Sequence, residues 1–143
     1  MKLILRLMND NNIEKILEGI EGEKIIREFF KKKKIHFFQV DLMAKIKNKW
    51  NVIEIKNQEQ FDASNNPKYG PFNGHGLPKW QIEARLKFQE EMNIRALLFI
   101  RDKKTGIIYW QYMDILMGGE QYQTNGKKPR LIFPLENYNI LEL

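Results

Sequence analysis

Two carboxylates and one ammonium group are spaced along this chain so that β-structure would bring them together. In the segment Val52-Ile53-Glu54-Ile55-Lys56, strand alternation places Glu54 and Lys56 on one face. Asp41 opens the preceding β-like segment, with 12 residues between it and Glu54, and a hairpin would return it close to Glu54. Carboxylates hold a hard divalent ion such as Mg²⁺, which acidifies a bound water and neutralises phosphoryl charge. The trio therefore indicates metal-assisted phosphodiester hydrolysis, with Lys56 positioning or deprotonating the attacking water.

The same Glu-x-Lys pattern has a purely structural interpretation, because such pairs are common as ion pairs on the solvated face of a sheet. Three further features favour catalysis. Asp41 opens the preceding segment, Ile53 and Ile55 form an apolar opposite face, and Glu23 lies on an upstream helix. Helical spacing puts Glu23 on the rim of that helix's buried stripe, so it is a candidate for a further metal ligand, directly or through water.

The helices and strands that would position these residues follow from hydrophobic periodicity. A first short helix is marked by an apolar stripe at Ile13, Ile16, Leu17 and Ile20. Gly19 and Gly22 predict a break, after which a second helix runs from about residue 22 to 33. Three β-like segments follow, at residues 35–40, 42–46 and 50–55. The later elements are a helix at 78–92, a central strand at 96–100, a hairpin strand at 107–110 and a short strand at 131–133. This order predicts a mixed α/β fold on one central sheet.

Polar side chains interrupt the apolar stripes of the helix at 78–92. Gln81 and Arg85 fall between the stripes, and inward polar groups are costly unless they are hydrogen-bonded or functional. Gln81 is therefore predicted to orient substrate or water, the alternative being a buried amide that caps a neighbouring loop. Arg85 would hold the scissile phosphate or pair with a carboxylate. Lys79, at the start of the helix, is a further candidate for substrate binding.

A connection of about 20 residues, from Asn57 to Leu77, leaves the end of the strand that carries Glu54 and Lys56. Loops of this length in a compact domain are often functional. It contains cations and aromatic rings that suit contact with a nucleic-acid backbone and stacking on bases: Lys68, Tyr69, Phe72 and His75. For His75 a phosphate contact is preferred to metal ligation. The alternative is a surface loop with its aromatic rings packed on the core.

These motifs resemble the signature of the PD-(D/E)XK nuclease superfamily. The similar segments are Gly22-Glu23, Val40-Asp41-Leu42 and Val52-Ile53-Glu54-Ile55-Lys56. Among members of the superfamily, the pattern is most similar to small Holliday-junction resolvases and their phage relatives, over roughly residues 22 to 100. Valine stands at position 40, where the motif name has proline.

The resemblance implies an α/β fold with a restriction-endonuclease-like αβββαβ core, in which helices flank a central mixed sheet. It also implies that the protein binds Mg²⁺ or Mn²⁺. The ligands that it implies are Asp41, Glu54, the helix carboxylate Glu23 and the backbone carbonyl of Ile55. Lys56 would be the catalytic lysine, and Gln81 would lie near the site.

Composition limits the remaining interpretations. The chain has 143 residues and a net charge of +6, which predicts a single nuclease domain over residues 1–143 and suits a nucleic-acid partner. It has no cysteine, which excludes disulfides and thiolate metal sites. No apolar run reaches the roughly 18 residues that cross a bilayer. We therefore expect a cytoplasmic protein without membrane association.

The leading hypothesis is an Mg²⁺-dependent deoxyribonuclease. Within it, an endonuclease that selects junctions or other branched DNA is preferred, and a sequence-specific restriction-type enzyme or an exonuclease is the alternative. Such enzymes often act as homodimers, because two antiparallel strands require two sites. The alternative is a non-catalytic domain that binds nucleic acid or a protein partner on the same fold. Metal binding separates the two hypotheses, because only the enzyme needs Asp41, Glu54 and Lys56 together.

Overall fold

The computed structural model describes residues 10–38, 40, 42–63 and 70–142, and it describes side chains from residue 21 onward. The chain divides into two compact units, residues 1–41 and residues 42–143. The single nuclease domain predicted from length stays a prediction. No helix in the described part of the chain is long and apolar enough to cross a membrane.

The first unit contains helix α1, which spans Asp10–Lys32. The helix passes through Gly19 and Gly22 without interruption, so the predicted break at these glycines is wrong. Glycine inside a helix costs only about 0.5–1 kcal/mol relative to alanine. The glutamate, lysine, arginine and isoleucine residues around them are adequate helix formers and offset this cost.

Helix α1 ends in a Schellman motif. Lys34 adopts a left-handed conformation with φ of 57°, and the Ile35 N–H donates to the Phe30 carbonyl oxygen at 2.9 Å. The chain then turns back on the helix, and the rings of Phe30 and Phe37 lie 5.7 Å apart. None of the described residues between 35 and 40 is in a strand, so the predicted strand at 35–40 is wrong.

The second unit holds most of the secondary structure. In chain order its elements are β1 (Leu42–Ile46), β2 (Lys49–Gln58), β3 (Gly74–Pro78), α2 (Lys79–Met92), β4 (Arg95–Asp102), β5 (Ile108–Tyr112), α3 (Met113–Gly118), β6 (Tyr122–Gln123), β7 (Arg130–Pro134), a 3₁₀ turn (Leu135–Asn137) and β8 (Asn139–Ile140). The main sheet has the strand order β1-β2-β4-β5-β8 and a smaller sheet has the order β3-β7-β6. Strands β2 and β4 are parallel, and the other neighbours in the main sheet are antiparallel. The predicted α/β fold with a central mixed sheet is thus confirmed.

The two sides of the main sheet differ in burial. One side carries Val52, Glu54, Leu98 and Ile100, all buried, and Arg85 of helix α2 reaches Glu54 there. On the other side Ile53 is buried, whereas Ile55 is 52% exposed. The helix at 78–92, the central strand and its hairpin agree with the sequence predictions. The face that contains Glu54 is therefore an interior face.

Strand β3 corrects the prediction of a long structureless loop. Strand β2 continues to Gln58, Phe61 forms an isolated bridge with Gly74, and β3 pairs with β7. The Gly-His-Gly sequence of β3 lacks the apolar alternation that marks a strand. The glycines have a packing role, because a methyl group at Gly76 would collide with the Leu131 carbonyl oxygen of β7.

Candidate active site

Glu54 is a buried carboxylate between two cations. It lies in the middle of β2, and its side chain is only 8% exposed. Arg85 Nε donates to Glu54 Oε2 at 3.3 Å, and Lys56 Nζ lies 3.7 Å from Glu54 Oε1. The structure therefore brings together three of the residues that the sequence analysis selected.

The local sequence accounts for this arrangement. Alternation along β2 puts Glu54 and Lys56 on one face, next to Leu98 and Ile100 of the parallel strand β4. Helix α2 places Arg85 over Glu54. An ionised carboxylate in such apolar surroundings is costly unless a cation and hydrogen bonds compensate it. Of the two interpretations of Arg85, the structure contains the pairing with a carboxylate.

Removing this arginine should reveal the cost of burying Glu54. We expect Arg85→Met to lower the free energy of unfolding by about 3 kcal/mol, because it strips a buried charge of its closest partner. The double variant Arg85→Met/Glu54→Leu should be more stable than Arg85→Met alone, since both charges then leave the interior together. Urea denaturation of the two single variants and the double variant measures this coupling. Strictly additive losses would contradict it.

Gln81 contributes an unsatisfied acceptor to the same helix. Its side-chain Oε1 is buried and has no hydrogen-bond partner among the described residues. Gln81 precedes Arg85 by four residues, so the two side chains emerge from the same face of α2, one turn apart. A buried acceptor without a donor is rare in folded proteins, so this oxygen is a candidate to accept from a bound water or substrate or to contact an ion. Among the described residues this amide does not cap a loop through its oxygen, and its role in orienting substrate or water stays a prediction.

The structure describes only some of the other predicted site residues. Asp41, Lys68 and Tyr69 lie outside the described residues, and their roles stay predictions. Glu23 belongs to the first unit, residues 1–41. Lys79 forms an i,i+4 ion pair with Glu83 at 3.8 Å, and both side chains are exposed. The Ile55 carbonyl as a metal ligand is also still a prediction.

His75 is not available for the predicted phosphate contact, which is a correction to the sequence analysis. Its side chain is fully buried in β3, and its ring nitrogens face Gln58 Oε1 at 3.2 Å and Asp102 Oδ2 at 3.1 Å. The Tyr138 hydroxyl donates to the His75 carbonyl oxygen at 2.7 Å. These contacts join the end of β2 and the end of β4 to the smaller sheet.

Asp102 and Gln58, the two partners of the His75 ring, were not predicted from the sequence. The Asp102 Oδ1 atom accepts from the backbone N–H groups of Lys104 and Thr105, which is an Asx-type turn. An aspartate opening Asp-Lys-Lys-Thr-Gly was a signal for that turn, but no sequence pattern indicated that His75 would be its second partner.

The network should make stability depend on pH. Burial lowers the pKa of His75 below its ordinary 6.5 and outweighs the opposing effect of Asp102. The pKa of Asp102 is also lowered: burial opposes this, but the N–H groups of Lys104 and Thr105, together with His75, prevail. A group with a lowered folded-state pKa adds stability above its unfolded pKa and loses it as the pH falls.

We therefore expect the free energy of unfolding to decrease as the pH falls below 6.5, and to decrease again below the ordinary aspartate value of 3.8. His75→Gln should flatten the first decline, because glutamine does not titrate. Urea denaturation between pH 8 and pH 3 is the measurement. The matched control is His36→Gln, which alters the other histidine and should retain the decline. Equal slopes in His75→Gln and the unmodified chain would contradict the assignment.

The described side chains fit a hard divalent cation only as part of a larger set. Glu54 offers carboxylate oxygens and Gln81 offers a free amide oxygen, and both suit Mg²⁺ or Mn²⁺. No group of three or more His, Asp or Glu residues in the described part of the chain could hold a metal ion. Asp41 is the predicted remaining carboxylate. Mg²⁺ needs only one or two protein carboxylates when substrate phosphates complete its shell.

Comparisons with known proteins find one similar solved structure and no matching family. No protein-family model matches the chain, and no curated protein matches it. Among solved structures, the chain is similar to the 1.6 Å structure of Archaeoglobus fulgidus Hjc, a Holliday junction resolvase from an archaeal hyperthermophile, with 13% sequence identity and a TM-score of 0.43. The match covers 68% of this chain and 64% of the resolvase chain, so this chain spans less than two thirds of the resolvase's length. A likeness at this level shows neither a family nor an activity.

Proposed function

We propose that this chain is a metal-dependent endonuclease that hydrolyses DNA phosphodiester bonds. The observation that carries the proposal is the buried carboxylate of Glu54, with Arg85 at 3.3 Å and Lys56 at 3.7 Å. An apolar pair would stabilise the sheet equally well or better than such a charge cluster. Buried ion pairs of this kind are therefore candidates for a functional site.

Different residues of the chain would bind the metal ion and contact the attacking water. Glu54 and Asp41 would hold the divalent ion through carboxylate oxygens, and Glu23 and the Ile55 carbonyl are the further predicted ligands. When bound, Mg²⁺ or Mn²⁺ would acidify a water and neutralise charge on the phosphoryl group. Lys56 would donate to the attacking water or to the phosphate, as a compact cation on a flexible stem.

Arg85 and Gln81 would act on the substrate side. The guanidinium group of Arg85 is matched to phosphate as well as to carboxylate. A scissile phosphate would therefore compete with Glu54 for Arg85. The unpartnered Gln81 Oε1 would accept a hydrogen bond from the attacking water and so orient it.

The net charge and the sequence resemblance support the finer features of the proposal. The net charge of +6 favours a polyanionic substrate. The preference for junctions and other branched DNA, and the homodimer that would cut two strands, follow from the sequence resemblance described above.

A substrate panel tests the proposal. The purified chain is incubated with end-labelled single-stranded, duplex, flap and four-way-junction DNA, with Mg²⁺, with Mn²⁺ and with EDTA. We expect cleavage only with metal, and faster cleavage of branched DNA. Cleavage of a labelled RNA but of none of the DNA substrates would reassign the substrate. Binding without any cleavage in either metal would overturn the catalytic proposal.

A non-catalytic nucleic-acid-binding module is the second candidate. It is favoured by the fact that both carboxylate oxygens of Glu54 already have cationic partners, Arg85 and Lys56, as in a purely structural cluster. Such a module would bind DNA equally well in EDTA. It would also tolerate Glu54→Leu in combination with Arg85→Met without losing DNA binding, whereas the nuclease would lose all cleavage.

A further inference from the structure

A groove is lined mainly by residues on the side of the main sheet that faces away from Glu54. Its volume is about 950 Å³, and all its lining residues belong to the second unit. The aromatic residues of this lining are Trp50, Phe99, Trp110 and Tyr112. We refer to this feature as the aromatic groove. Strand register puts Phe99, Trp110 and Tyr112 on the same side as Ile53, opposite to Glu54.

The rings in the aromatic groove form a continuous row. Phe99 and Trp110 are stacked, with an interplanar angle of 17° and centroids 6.1 Å apart. Trp110 and Tyr112 follow at 6.3 Å, and the Arg95 guanidinium lies 3.6 Å from the centroid of the Tyr112 ring. Asp114 holds that guanidinium with bonds of 2.8 and 2.9 Å. The row is thus preorganised, and its rings are only partly buried.

The charged residues that line the groove are all cations, although Arg95 is compensated by its ion pair with Asp114, which is not a lining residue. Lys47, Lys49 and Arg95 line the aromatic groove, and none of its lining residues is Asp or Glu. Lys47 and Asn48 both have positive φ, at 49° and 65°, as in a type I′ hairpin turn. Lys47 and Lys49 are therefore the second and fourth residues of a tight turn that lines the groove. A polyanion fits this charge pattern better than an apolar helix does.

We propose that the aromatic groove binds single-stranded DNA. Bases would stack on the exposed ring surfaces, and phosphates would contact Lys47 and Lys49. Aromatic rings beside lysines on a groove are the elements of single-strand recognition, and duplex bases are not free to stack in this way. The choice of DNA over RNA rests on the proposed nuclease function. The proposal that bases stack on these rings is independent of that function. The bound strand would lie on the opposite side of the sheet from the cutting site, so the groove would hold an unpaired arm of a branched substrate.

Tryptophan fluorescence tests the proposal directly. The chain has three tryptophans: Trp50 and Trp110 line the groove, and the third is Trp80 on helix α2. In a Trp80→Phe background, all emission comes from the groove. Titration with a 12-mer of deoxythymidylate, without divalent metal, should quench this emission in a saturable way.

Variants of the groove lysines test whether the fluorescence quench comes from DNA bound in the groove. Lys47→Ala/Lys49→Ala should weaken binding about tenfold or more at low salt and reduce the slope of log affinity against log salt by about 1.4, the value for two phosphate contacts on a single strand. The matched control is Lys103→Ala/Lys104→Ala, which removes two exposed lysines from the turn between β4 and β5. A second variant, Trp110→Leu, should weaken binding about fivefold or more even in the presence of both lysines, because it removes a ring on which a base would stack.

The outcomes separate the groove from the nuclease. Glu54→Gln should abolish cleavage and leave the quench unchanged, whereas the Lys47/Lys49 variant should keep cleavage of plain duplex DNA. Absence of a quench, or equal weakening by the two lysine pairs, would overturn the groove proposal and leave the nuclease proposal standing. Tighter binding of a uridylate 12-mer would overturn the DNA assignment. Quenching by an apolar peptide but not by either oligonucleotide would show a protein-binding groove instead.

Discussion

Replacing Lys56 with alanine is expected to lower metal-dependent cleavage of DNA by about two to four orders of magnitude, the range for loss of a group that positions or transfers a proton. The Lys56 ammonium lies 3.7 Å from Glu54 and is about one third exposed. Its removal leaves Glu54 paired with Arg85, so the fold and DNA binding should persist. Single-turnover cleavage with saturating enzyme measures the chemical step apart from binding.

The control for this variant is Lys45→Ala. Lys45 is an exposed lysine of the neighbouring strand β1, and its removal changes the net charge by the same amount. We expect Lys45→Ala to alter binding slightly and to leave the cleavage rate unchanged. Equal losses in the two variants would mean that Lys56 acts only through the overall field of the protein, not on the reacting groups.

Replacing Gly76 with alanine is expected to destabilise the second unit by about 3 kcal/mol or more. A Cβ atom at this position would overlap the Leu131 carbonyl of β7, and overpacking of a well-packed interior typically costs about 1–3 kcal/mol even where side chains can move. Here the obstacle is backbone, and the Gly76 carbonyl also accepts a hydrogen bond from Gln58 at 3.1 Å. Thermal and urea denaturation measure the loss.

Gly118→Ala is the matched control for Gly76. A Cβ atom at Gly118 would meet no atom within 4 Å, so alanine there should be neutral or stabilise the chain by up to about 1 kcal/mol. A small effect at Gly76 would show that strands β3 and β7 can separate at low cost. The close pairing of the smaller sheet would then not be a source of stability.

Much of the arrangement around Glu54 could be predicted from the sequence. Alternation along a strand has a period of two and helices have a period near 3.6, so the common face of Glu54 and Lys56 and the inward position of Arg85 follow from spacing alone. The continuous apolar run at 96–100 likewise predicts a strand buried on both faces, and β4 lies there in the middle of the main sheet. These rules depend only on neighbouring residues in the sequence. The distances from Glu54 to Lys56 and to Arg85 come from the structure.

The parts that could not be predicted depend on contacts between distant segments. Strand β3 has glycine at two of its five positions and becomes a strand only because β7 pairs with it. The burial of His75 follows from that pairing, and its partner Asp102 lies 27 residues away. The predicted break in helix α1 has a local cause instead. Two glycines were taken to end the helix, but the good helix formers around them keep it continuous. Asp41, which lies outside the described residues, stays a prediction from the sequence alone.

The most direct test of the account is metal binding at Glu54. Mn²⁺ binding is measured by electron paramagnetic resonance, with and without a DNA substrate, for the unmodified chain, Glu54→Gln and the control Glu59→Gln, an exposed glutamate just beyond β2. We expect the unmodified chain and Glu59→Gln to bind Mn²⁺ alike, and Glu54→Gln to bind it at least about tenfold more weakly, with cleavage lost in parallel. Unchanged Mn²⁺ binding in Glu54→Gln, or none in any of the three proteins even with DNA present, would contradict the account and leave Glu54, Lys56 and Arg85 as a structural charge cluster.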